Sequence, residues 1–436
     1  MAKRASGKKA TKKATTKKAV SKRTAGKRAS GAAVEPEIRV KEYAQRRERV
    51  MKALGGAVGV VFSGEAGNTL LGKWRADQHF VYLTGITDEP GAMLVLDGKA
   101  EDPRRRVMVF LRPSDPEVEA WDGYREGIGS AFKAKYGVES VMRTRYVPRL
   151  MTQLARKRKR FACLHSPAMP DAKVSPDLAL FRQLAERVVG VSIEDRTELL
   201  PALRSVKSKA EQAVMARAIA ATAAGHEAAM RTMRPGCDEA DIAKALARAF
   251  EDAGGEGMGY APIVGAGLNT TVLHYTENRG PVADGDLVLV DAGATFGGYT
   301  ADITRTFPAN GTFSKRQREI YEIVLEAELA AIAAVKPGAA MWEVDRAARK
   351  VIEKAGYGDA FMHGIGHQLG LDVHDAEPDG KLKAGMIVTI EPGIYLPEEK
   401  IGVRIEDDIL VTEKGSKNLS PMIVKEPDEI ERLMRG

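Results

Sequence analysis

The pattern of apolar and polar positions predicts a first region of alternating helices and strands. The runs AVGVVFSG (57–64), GAMLVLDG (91–98) and RRVMVFLRP (105–113) are short, rich in apolar and β-branched residues, and bounded by Gly or Pro. These features are typical of buried strands. The preceding segment EYAQRRERVMKAL predicts a helix. The pattern therefore indicates an α/β domain, which we place at residues 36–200.

A second region begins at a basic, polar step. The segment PALRSVKSKAEQAVMARAIAATAAGHEAAMRTMRPG passes from a Pro and several basic residues into a long alanine-rich helix. We place the domain boundary at this step, so that residues 201–436 form a second domain. The first 35 residues lie outside both domains.

The second region contains an internal repeat. RPGCDEADIAKALARAFEDAGG resembles KPGAAMWEVDRAARKVIEKAGYG, and in each copy a Gly that ends a helix follows the Pro by nineteen residues, at Gly254 and Gly356. Before the second copy, Ser314 and Gln317 form a capping box that begins another long helix. Each half is therefore predicted to be two helices followed by strands, at an offset of about one hundred residues.

One histidine and one carboxylate recur at the same spacing in both halves. His274 precedes Asp291 by seventeen residues, and His374 precedes Glu391 by seventeen. Both carboxylates end apolar strands, DLVLVDAG and GMIVTIEPG. A carboxylate at the end of a buried strand is costly unless it is paired or binds a metal. Taken one at a time, turn capping at Asp-Ala-Gly and Glu-Pro-Gly is an equally good interpretation.

A second carboxylate follows in each half, Asp302 in GGYTADITRTF and Glu406 in GVRIEDDILVT. The glycines before Asp302 predict a turn that returns a second strand beside the first. Strand alternation places Arg404 on the same face as Glu406, and a solvated ion pair is the alternative there. Four carboxylates balance the charge of two divalent ions, and an oxygen-rich donor set favours Mn²⁺ or a similar ion. Metal-assisted hydrolysis is the reaction class that such a site supports.

The stretch HGIGHQLGLDVHD (363–375) holds three of the seven histidines in the chain. His363 and His367 have the four-residue spacing of the zinc-protease helix, but the glutamate of that motif is missing. Three glycines also disfavour a helix, each by about 1 kcal/mol relative to alanine. We predict a loop or strand with close backbone approaches. Histidines that are simply packed or solvated remain the alternative at this point.

The net charge of +8 belongs to the N-terminus and not to the body of the chain. Residues 1–34 contain twelve Lys or Arg and no Asp or Glu, which leaves 55 basic and 59 acidic residues elsewhere. This tail lacks large apolar side chains, so we predict disorder. Weak, non-specific contact with nucleic acid and a solubilising role are equally good interpretations of its charge. The tail has neither the amphipathic face of a transit peptide nor the apolar core of a secretory signal.

The two cysteines, Cys163 and Cys237, are far apart and form no disulfide framework or metal-binding pair. A reducing, cytoplasmic location fits this usage. No run of about 18 apolar residues exists, so we expect no membrane span.

Several long segments resemble the bacterial aminopeptidase P family, whose members are metallopeptidases with the pita-bread fold. LHYTEN, LVLVDAGATFGGYTADITRTFPANG, EPGIY and VRIEDDI match its pattern in order, and HGIGHQLGLDVHD resembles the proline-peptidase signature. YAQRRERV, VVFSG and FVYLTGITDEPGAMLVL resemble its N-terminal domain, although the segment LGKWRADQ departs from the usual pattern. The resemblance, over residues 38–430, implies an α/β (α+β) fold: a creatinase-like N-terminal domain and a pita-bread domain with a pseudo-twofold repeat.

The resemblance also implies a site for two divalent ions, for which the donor set predicts Mn²⁺, with Co²⁺ and Zn²⁺ as alternatives. Its five metal ligands would be Asp291, Asp302, His367, Glu391 and Glu406. Asp302 and Glu406 would bridge the two ions. Glu391 would also be catalytic, carrying a proton from the nucleophile to the leaving prolyl nitrogen.

Five further residues match substrate-side positions of the family. His274 and His374 would contact the substrate and stabilise the charge that develops on its carbonyl oxygen, which makes them catalytic as well. His363 would line the proline-side pocket. Arg404 and Tyr395 would support the site beside the substrate.

The resemblance predicts an Xaa-Pro aminopeptidase, which releases the N-terminal residue of proline-containing peptides. A prolidase restricted to Xaa-Pro dipeptides shares the signature and is the nearest alternative. A nucleic-acid-binding protein that uses the basic tail is the alternative from another class. The family also implies a homo-oligomer, either a dimer or a tetramer.

Overall fold

The structure is a computed structural model that describes residues 37–65, 74–378 and 380–435. The helices and strands of the first region are α1 Val40–Ala53, β1 Val58–Phe62, α2 Gln78–Thr84, β2 Met93–Leu96, β3 Val107–Leu111, α3 Pro116–Asp122, α4 Ser130–Tyr136, β4 Ser140–Arg143, α5 Val147–Arg158, β5 Arg160–Cys163, α6 Pro176–Arg187 and β6 Ser192–Asp195. The strands form one mixed sheet with the order β4-β3-β2-β1-β5-β6. The predicted helix and three strands are confirmed.

The strand sequences are apolar at successive positions because helices cover both faces of the sheet. In β1, Val61 packs into a core that includes Val50 of α1. Val58 and Val60 belong to the core on the other side, with Met151 of α5. The central strand is thus buried on both faces.

The second region follows the order that the repeat predicts. Its elements are α7 Leu199–Ser205, α8 Lys209–Thr232, α9 Glu239–Asp252, β7 Ile263–Ala266, β8 Leu287–Ala292, β9 Thr295–Phe296, β10 Tyr299–Thr300, β11 Ile303–Pro308, α10 Lys315–Ala334, α11 Met341–Lys354, β12 Ile387–Ile390, β13 Gly393–Leu396, β14 Ile401–Arg404, β15 Asp407–Val411, β16 Ser416–Asn418 and α12 Pro427–Met434. The helix pairs α8–α9 and α10–α11 pack on one shared apolar core with the strands. Each half is therefore two helices followed by strands.

The helix boundaries agree with the sequence signals. The Ser314 hydroxyl accepts from the Gln317 N–H, and the Gln317 side chain accepts from the Ser314 N–H, which completes the predicted capping box at α10. Gly254 and Gly356 follow the ends of α9 and α11 with φ of +87° and +90°. Glycine adopts this left-handed conformation without the steric cost that other residues incur.

A β-hairpin lies between the two carboxylate-bearing strands in each half. In the first half β8 pairs with β11, and the short hairpin β9–β10 connects them. In the second half β12 pairs with β15, and the longer hairpin β13–β14 connects them. The longer insertion explains why the second pair of carboxylates is fifteen residues apart while the first pair is eleven apart.

The basic tail lies outside the described residues, so its disorder stays a prediction. The division of the chain at residues 35 and 200 likewise remains a prediction. Within the described part of the chain, no helix combines the length and apolar character needed to cross a membrane.

Candidate active site

The strand pairing brings the four carboxylates to corresponding ends of two ladders. Asp291 pairs with Thr304 near the end of the β8–β11 ladder, and Asp302 lies just before β11. In the other half the β12–β15 ladder ends at the pair Ile390 and Asp407, so Glu391 and Glu406 come directly after one strand and before the other. The ordered spacing seen in the sequence thus corresponds to equivalent places in the two halves.

These residues converge on one cavity of about 480 Å³. Nine of the ten predicted site residues line it, namely His274, Asp291, Asp302, His363, His367, His374, Glu391, Arg404 and Glu406. Tyr395 lies behind the wall and contacts two of them. The structure therefore brings the whole predicted set together.

His367 directs one ring nitrogen at the carboxylates. Its Nε2 lies 3.4 Å from an oxygen of Asp302 and 3.7 Å from an oxygen of Glu391. The other nitrogen, Nδ1, lies 3.0 Å from the carbonyl oxygen of Gln368. A carbonyl partner at Nδ1 holds a proton on that nitrogen, so Nε2 is the nitrogen that gives up its proton when a cation binds. Burial opposes protonation, yet the two carboxylates raise the pKa of His367 to about 9.

The carboxylates carry more negative charge than the nearby cations balance. Burial raises the pKa of Glu391 to about 7, although Arg404 and His367 act in the opposite direction. Burial and the neighbouring Asp302 raise the pKa of Glu406 well above its usual range. Burial also raises the pKa of Asp302 despite its contact with His367. Such a cluster of buried acids is stabilised when a cation binds among them.

The donor geometry fits divalent ions. Ligand atoms of Asp302, His367 and Glu406 lie within 4.8 Å of one another. Asp291 and Glu391 line the same cavity and extend this group to four carboxylates and one imidazole. Carboxylate-rich sets with few nitrogen donors suit Mn²⁺ and related ions better than thiolate-type sites do. The residues present thus fit the metal site that the sequence predicts.

Arg404 organises the wall of the cavity and is not a solvated surface residue. Its side chain is 4% exposed, and its Nη2 donates to Oδ2 of Asp291. Nη1 donates to the hydroxyl of Tyr395 at 3.1 Å, and Nε donates to Oγ1 of Thr304 at 3.2 Å. The alternative of an exposed ion pair is therefore wrong for Arg404. Glu406 is only 1% exposed, so a solvated ion pair is excluded for this residue as well.

The remaining histidines occupy different parts of the cavity wall. His363 lies with Nε2 2.8 Å from the Tyr395 hydroxyl, and its ring meets Phe361 edge-on at 5.0 Å. The ring of His374 stacks on that of His367, with 3.9 Å between centroids. His274 is exposed on the same cavity.

The segment 363–375 is irregular, as its glycines predict. A Cβ at Gly366 would lie 2.0 Å from the carbonyl oxygen of Thr389, and the φ of this glycine is +152°. Backbone hydrogen bonds from Thr389 to His367 and from Glu391 to Ile365 attach the segment to β12 and the residue that follows it. The close backbone approach predicted for this stretch is confirmed.

Sequence reasoning missed two side chains that bind the carboxylates. The Tyr260 hydroxyl lies 2.6 Å from Oδ1 of Asp291 and also within hydrogen-bond distance of Oδ1 of Asp302, so its single proton is shared between the two carboxylates. Thr304 donates to Glu406 at 2.7 Å. Strand alternation would have identified Thr304, because it follows Asp302 by two residues. No spacing signal connects Tyr260 with the carboxylates.

Comparison with known proteins identifies the family. Residues 213–413 match "Metallopeptidase family M24", and residues 43–163 match "Aminopeptidase P, N-terminal domain". The Xaa-Pro aminopeptidase of Haemophilus influenzae is 35% identical over 437 residues, which cover 90% of this chain and 97% of that protein. The chain belongs to metallopeptidase family M24. Xaa-Pro aminopeptidase 3 of Homo sapiens is 32% identical to this M24 chain, and the alignment covers 92% of this chain and 87% of the human protein.

Solved structures of M24 relatives support the same conclusion. Escherichia coli aminopeptidase P with the inhibitor Pro-Leu has a TM-score of 0.82 and 34% identity, with 92% of this chain and 99% of that chain covered. Pseudomonas aeruginosa aminopeptidase P has a TM-score of 0.81 and 33% identity over the same shares. The predicted family and fold class are confirmed, including the aminopeptidase P N-terminal domain and the pita-bread domain. Membership of this metallopeptidase family implies divalent metal ions.

Proposed function

We propose that this chain is an Xaa-Pro aminopeptidase that releases the N-terminal residue from peptides with proline in the second position. The observation that carries the proposal is the convergence of Asp291, Asp302, His367, Glu391 and Glu406 on one cavity. The identity of 35% to Xaa-Pro aminopeptidases over nine tenths of the chain supports the substrate class. These five residues are our proposed metal ligands.

The bond before proline poses a particular chemical problem. It is a tertiary amide without an N–H, and, as in any amide hydrolysis, the leaving prolyl nitrogen must receive a proton when the C–N bond breaks. When bound, two divalent ions would polarise the scissile carbonyl and allow water to act as a nucleophile at neutral pH. We assign Glu391 as the proton carrier, because its carboxylate lies on the cavity wall near both His363 and His367.

The histidines supply contacts to the substrate in this proposal. His374 and His274 line the cavity beside the metal ligands, where an imidazole N–H can donate to the carbonyl oxygen as negative charge develops on it. His363, held by Tyr395, forms a wall against the proline ring. Arg404 acts through the carboxylates and Tyr395, whose positions it fixes.

Mn²⁺ is our proposed native metal, because four carboxylates and a single imidazole form an oxygen-rich donor set. The experiment is to remove metal with a chelator, confirm the loss by elemental analysis, and add back Mn²⁺, Co²⁺ or Zn²⁺ separately. We expect cleavage of an Xaa-Pro-Yaa tripeptide to disappear with the metal and to return most fully with Mn²⁺. Full activity in the metal-free protein would contradict the proposal.

Matched peptides test the substrate class. An Xaa-Ala-Yaa tripeptide is the control for proline in the second position, and we expect it to be cleaved poorly. An Xaa-Pro dipeptide distinguishes a prolidase, since strict use of dipeptides would overturn the aminopeptidase assignment. A homo-oligomer and cytoplasmic location remain predictions from the sequence.

A further inference from the structure

A buried cluster of charges lies next to the cavity but contains no proposed ligand. It is formed by Arg204 of α7, Lys207 at the start of the link to α8, and Asp375, which directly follows His374. The three residues are 4%, 3% and 7% exposed. Arg204 Nη2 binds one oxygen of Asp375, and Lys207 Nζ binds the other at 3.2 Å. Each carboxylate oxygen therefore has its own cationic partner.

Stability alone is a weak explanation for this cluster. Burying charges costs several kcal/mol per ion in order-of-magnitude terms, and apolar side chains of similar volume often stabilise a fold as well. Although burial alone would raise the pKa of Asp375, Lys207 and Arg204 hold it below its usual range. The pairing therefore offsets the cost of burial, and the location of the cluster indicates what else it does.

The cluster closes the loop of residues 367–375, which carries the site histidines His367 and His374. The Asp375 N–H donates to the carbonyl oxygen of Gln368 at 2.9 Å, which joins the end of the loop to its beginning. Within this loop the ring of His374 stacks on that of His367. A Cβ at Gly370 would lie 2.2 Å from Oδ2 of Asp375, so the loop backbone packs directly on the clamped carboxylate.

Two further contacts join Arg204 to the loop and to the N-terminal region. Its Nη2 also lies 3.0 Å from an oxygen of Asp372, inside the same loop. Its Nη1 lies 3.2 Å from Nδ1 of His79, on α2 of the N-terminal region. Arg75 of that region donates to the carbonyl oxygen of Leu371. The loop is thus held both by the helix junction and by the N-terminal region.

We propose that Arg204 and Lys207 are positioning residues for catalysis, which clamp Asp375 and thereby hold His374 at the cavity wall beside His367. This inference rests on the proposed function, because it acts through the role assigned to His374. The clamp restricts the motion of His374, so that its ring is placed before the substrate binds. Preorganised donors of this kind stabilise developing charge without a cost of reorientation.

A double-mutant cycle tests whether Arg204 acts through His374. Arg204→Lys keeps the positive charge but loses the planar fork that binds both Asp372 and Asp375. We expect it to lower kcat on the Xaa-Pro-Yaa peptide by ~10–100-fold with little change in KM. In a His374→Ala background the same substitution should lower kcat by no more than about 2-fold, because the residue through which it acts is gone.

An equal loss of kcat in both backgrounds would overturn the proposal, and so would a wild-type kcat in Arg204→Lys. The matched control is Arg158→Lys, which changes a largely buried arginine paired with Asp97 in the N-terminal region. We expect this control to leave kcat unchanged. If Arg204→Lys does not fold, Asp372→Asn enters the same cycle, because it removes one Arg204 partner whose side chain is 38% exposed.

A spectroscopic measurement separates failure of the clamp from failure of the proposed function. In the Zn²⁺-loaded protein, which avoids the paramagnetic broadening that Mn²⁺ causes, ring-selective labelling of the seven histidines allows His374 to be assigned by comparison with His374→Ala. We expect the His374 resonance to shift or broaden in Arg204→Lys, while the resonance of the buried His226, whose Nε2 lies 3.1 Å from the carbonyl oxygen of Ile303, stays in place. An unchanged His374 resonance overturns the clamp, whatever peptide the wild-type protein cleaves. Absence of Xaa-Pro cleavage by the wild type overturns only the function.

Discussion

Arg404, in the second half of the repeat, donates a hydrogen bond to Asp291, in the first half. The same guanidinium binds Tyr395 and Thr304, so three donors of one side chain connect the β13–β14 hairpin with the β8–β11 ladder that carries Asp291. A planar group with donors in fixed directions can make this set of contacts, whereas an ammonium group cannot reproduce its geometry. The positive charge of Arg404, from the second half, therefore stabilises and orients a carboxylate of the first half at the cavity.

Arg404→Lys should lower both activity and metal affinity, although it keeps the positive charge at this position. We expect ~10–100-fold lower activity together with weaker metal affinity, because the Asp291 carboxylate loses its fixed orientation. Metal affinity is measured by titration of the metal-free protein, and activity with the Xaa-Pro-Yaa peptide. Arg316→Lys, at a more exposed ion pair with Glu399, is the matched control and should change neither quantity. Wild-type metal affinity in Arg404→Lys would contradict this prediction.

Tyr260→Phe removes a single hydroxyl that lies within hydrogen-bond distance of two proposed ligands, Asp291 and Asp302. Burial and the surrounding carboxylates raise the pKa of Tyr260 well above its usual range, so the phenol remains protonated and acts as a donor. Without it, Asp291 and Asp302 repel each other with less compensation and hold their orientation less firmly. We expect metal affinity to fall by about 10-fold or more, by isothermal titration of the metal-free protein.

Tyr321→Phe is the control for the loss of a buried phenol. The Tyr321 hydroxyl donates to the backbone carbonyl of Lys425, and it does not line the cavity. Its removal should lower stability by about 1 kcal/mol and leave metal affinity unchanged. Equal losses of metal affinity in both variants would indicate a general effect of the missing hydroxyl and not a role of Tyr260 at the site.

Local patterns explain why much of the fold and the acidic site could be predicted. Apolar runs bounded by Gly and Pro identified β1, β2 and β3, and the recurrence of His274–Asp291 as His374–Glu391 identified carboxylates at equivalent strand ends. These signals depend on residues close in the chain or on a fixed offset. The choice of His367 as ligand came from resemblance to the family, because spacing alone did not distinguish it.

Long-range contacts explain what could not be predicted. Tyr260 lies 31 residues from Asp291 and 42 from Asp302, and Arg204 lies 171 residues from Asp375. The sequence shows residues 204–207 only as a basic, polar segment at the predicted domain boundary. In the structure, both of its basic side chains are buried and paired. Such pairing depends on the tertiary fold and leaves no local pattern.

His79 should make stability depend on pH between about 4 and 6.5. Burial and the nearby Arg204 lower the pKa of His79 to about 4, while the unfolded value is about 6.5. Below pH 6.5 the unfolded chain therefore binds a proton that the folded protein does not. The contribution of neutral His79 to the free energy of unfolding is fully present above pH 6.5 and is lost as the pH falls toward 4. At pH 5 this loss is roughly 2 kcal/mol.

His79→Asn tests this dependence, because asparagine offers an acceptor to Arg204 but does not titrate. The melting temperature of both proteins is measured from pH 8 to pH 5. We expect the wild type to lose more stability than the variant between pH 6.5 and 5, with a constant difference between pH 7 and 8 as the internal control. Parallel curves over the whole range would show that His79 does not contribute.

Deletion of residues 1–34 should separate catalysis from binding to polyanions. These residues carry twelve basic and no acidic side chains, and the rest of the chain has a net charge of −4. All proposed metal ligands and substrate contacts lie beyond residue 270, and the supporting Arg204, Lys207 and Tyr260 also lie outside the deleted segment. We therefore expect the shortened protein to cleave the Xaa-Pro-Yaa peptide at the wild-type rate. Its affinity for single-stranded DNA at about 50 mM salt should be lost, because phosphate neutralisation depends on the tail.

A tail with the same composition in scrambled order is the matched control, since non-specific electrostatic binding depends on charge and not on order. We expect the scrambled variant to bind DNA like the wild type and to release it as salt rises to about 200 mM. Retained DNA affinity after deletion would place the binding surface on the acidic body. Loss of peptide cleavage after deletion, with DNA binding as the robust activity of the intact chain, would favour the nucleic-acid-binding alternative. The first expected result, cleavage without DNA binding, would leave the tail as an independent electrostatic extension of the peptidase.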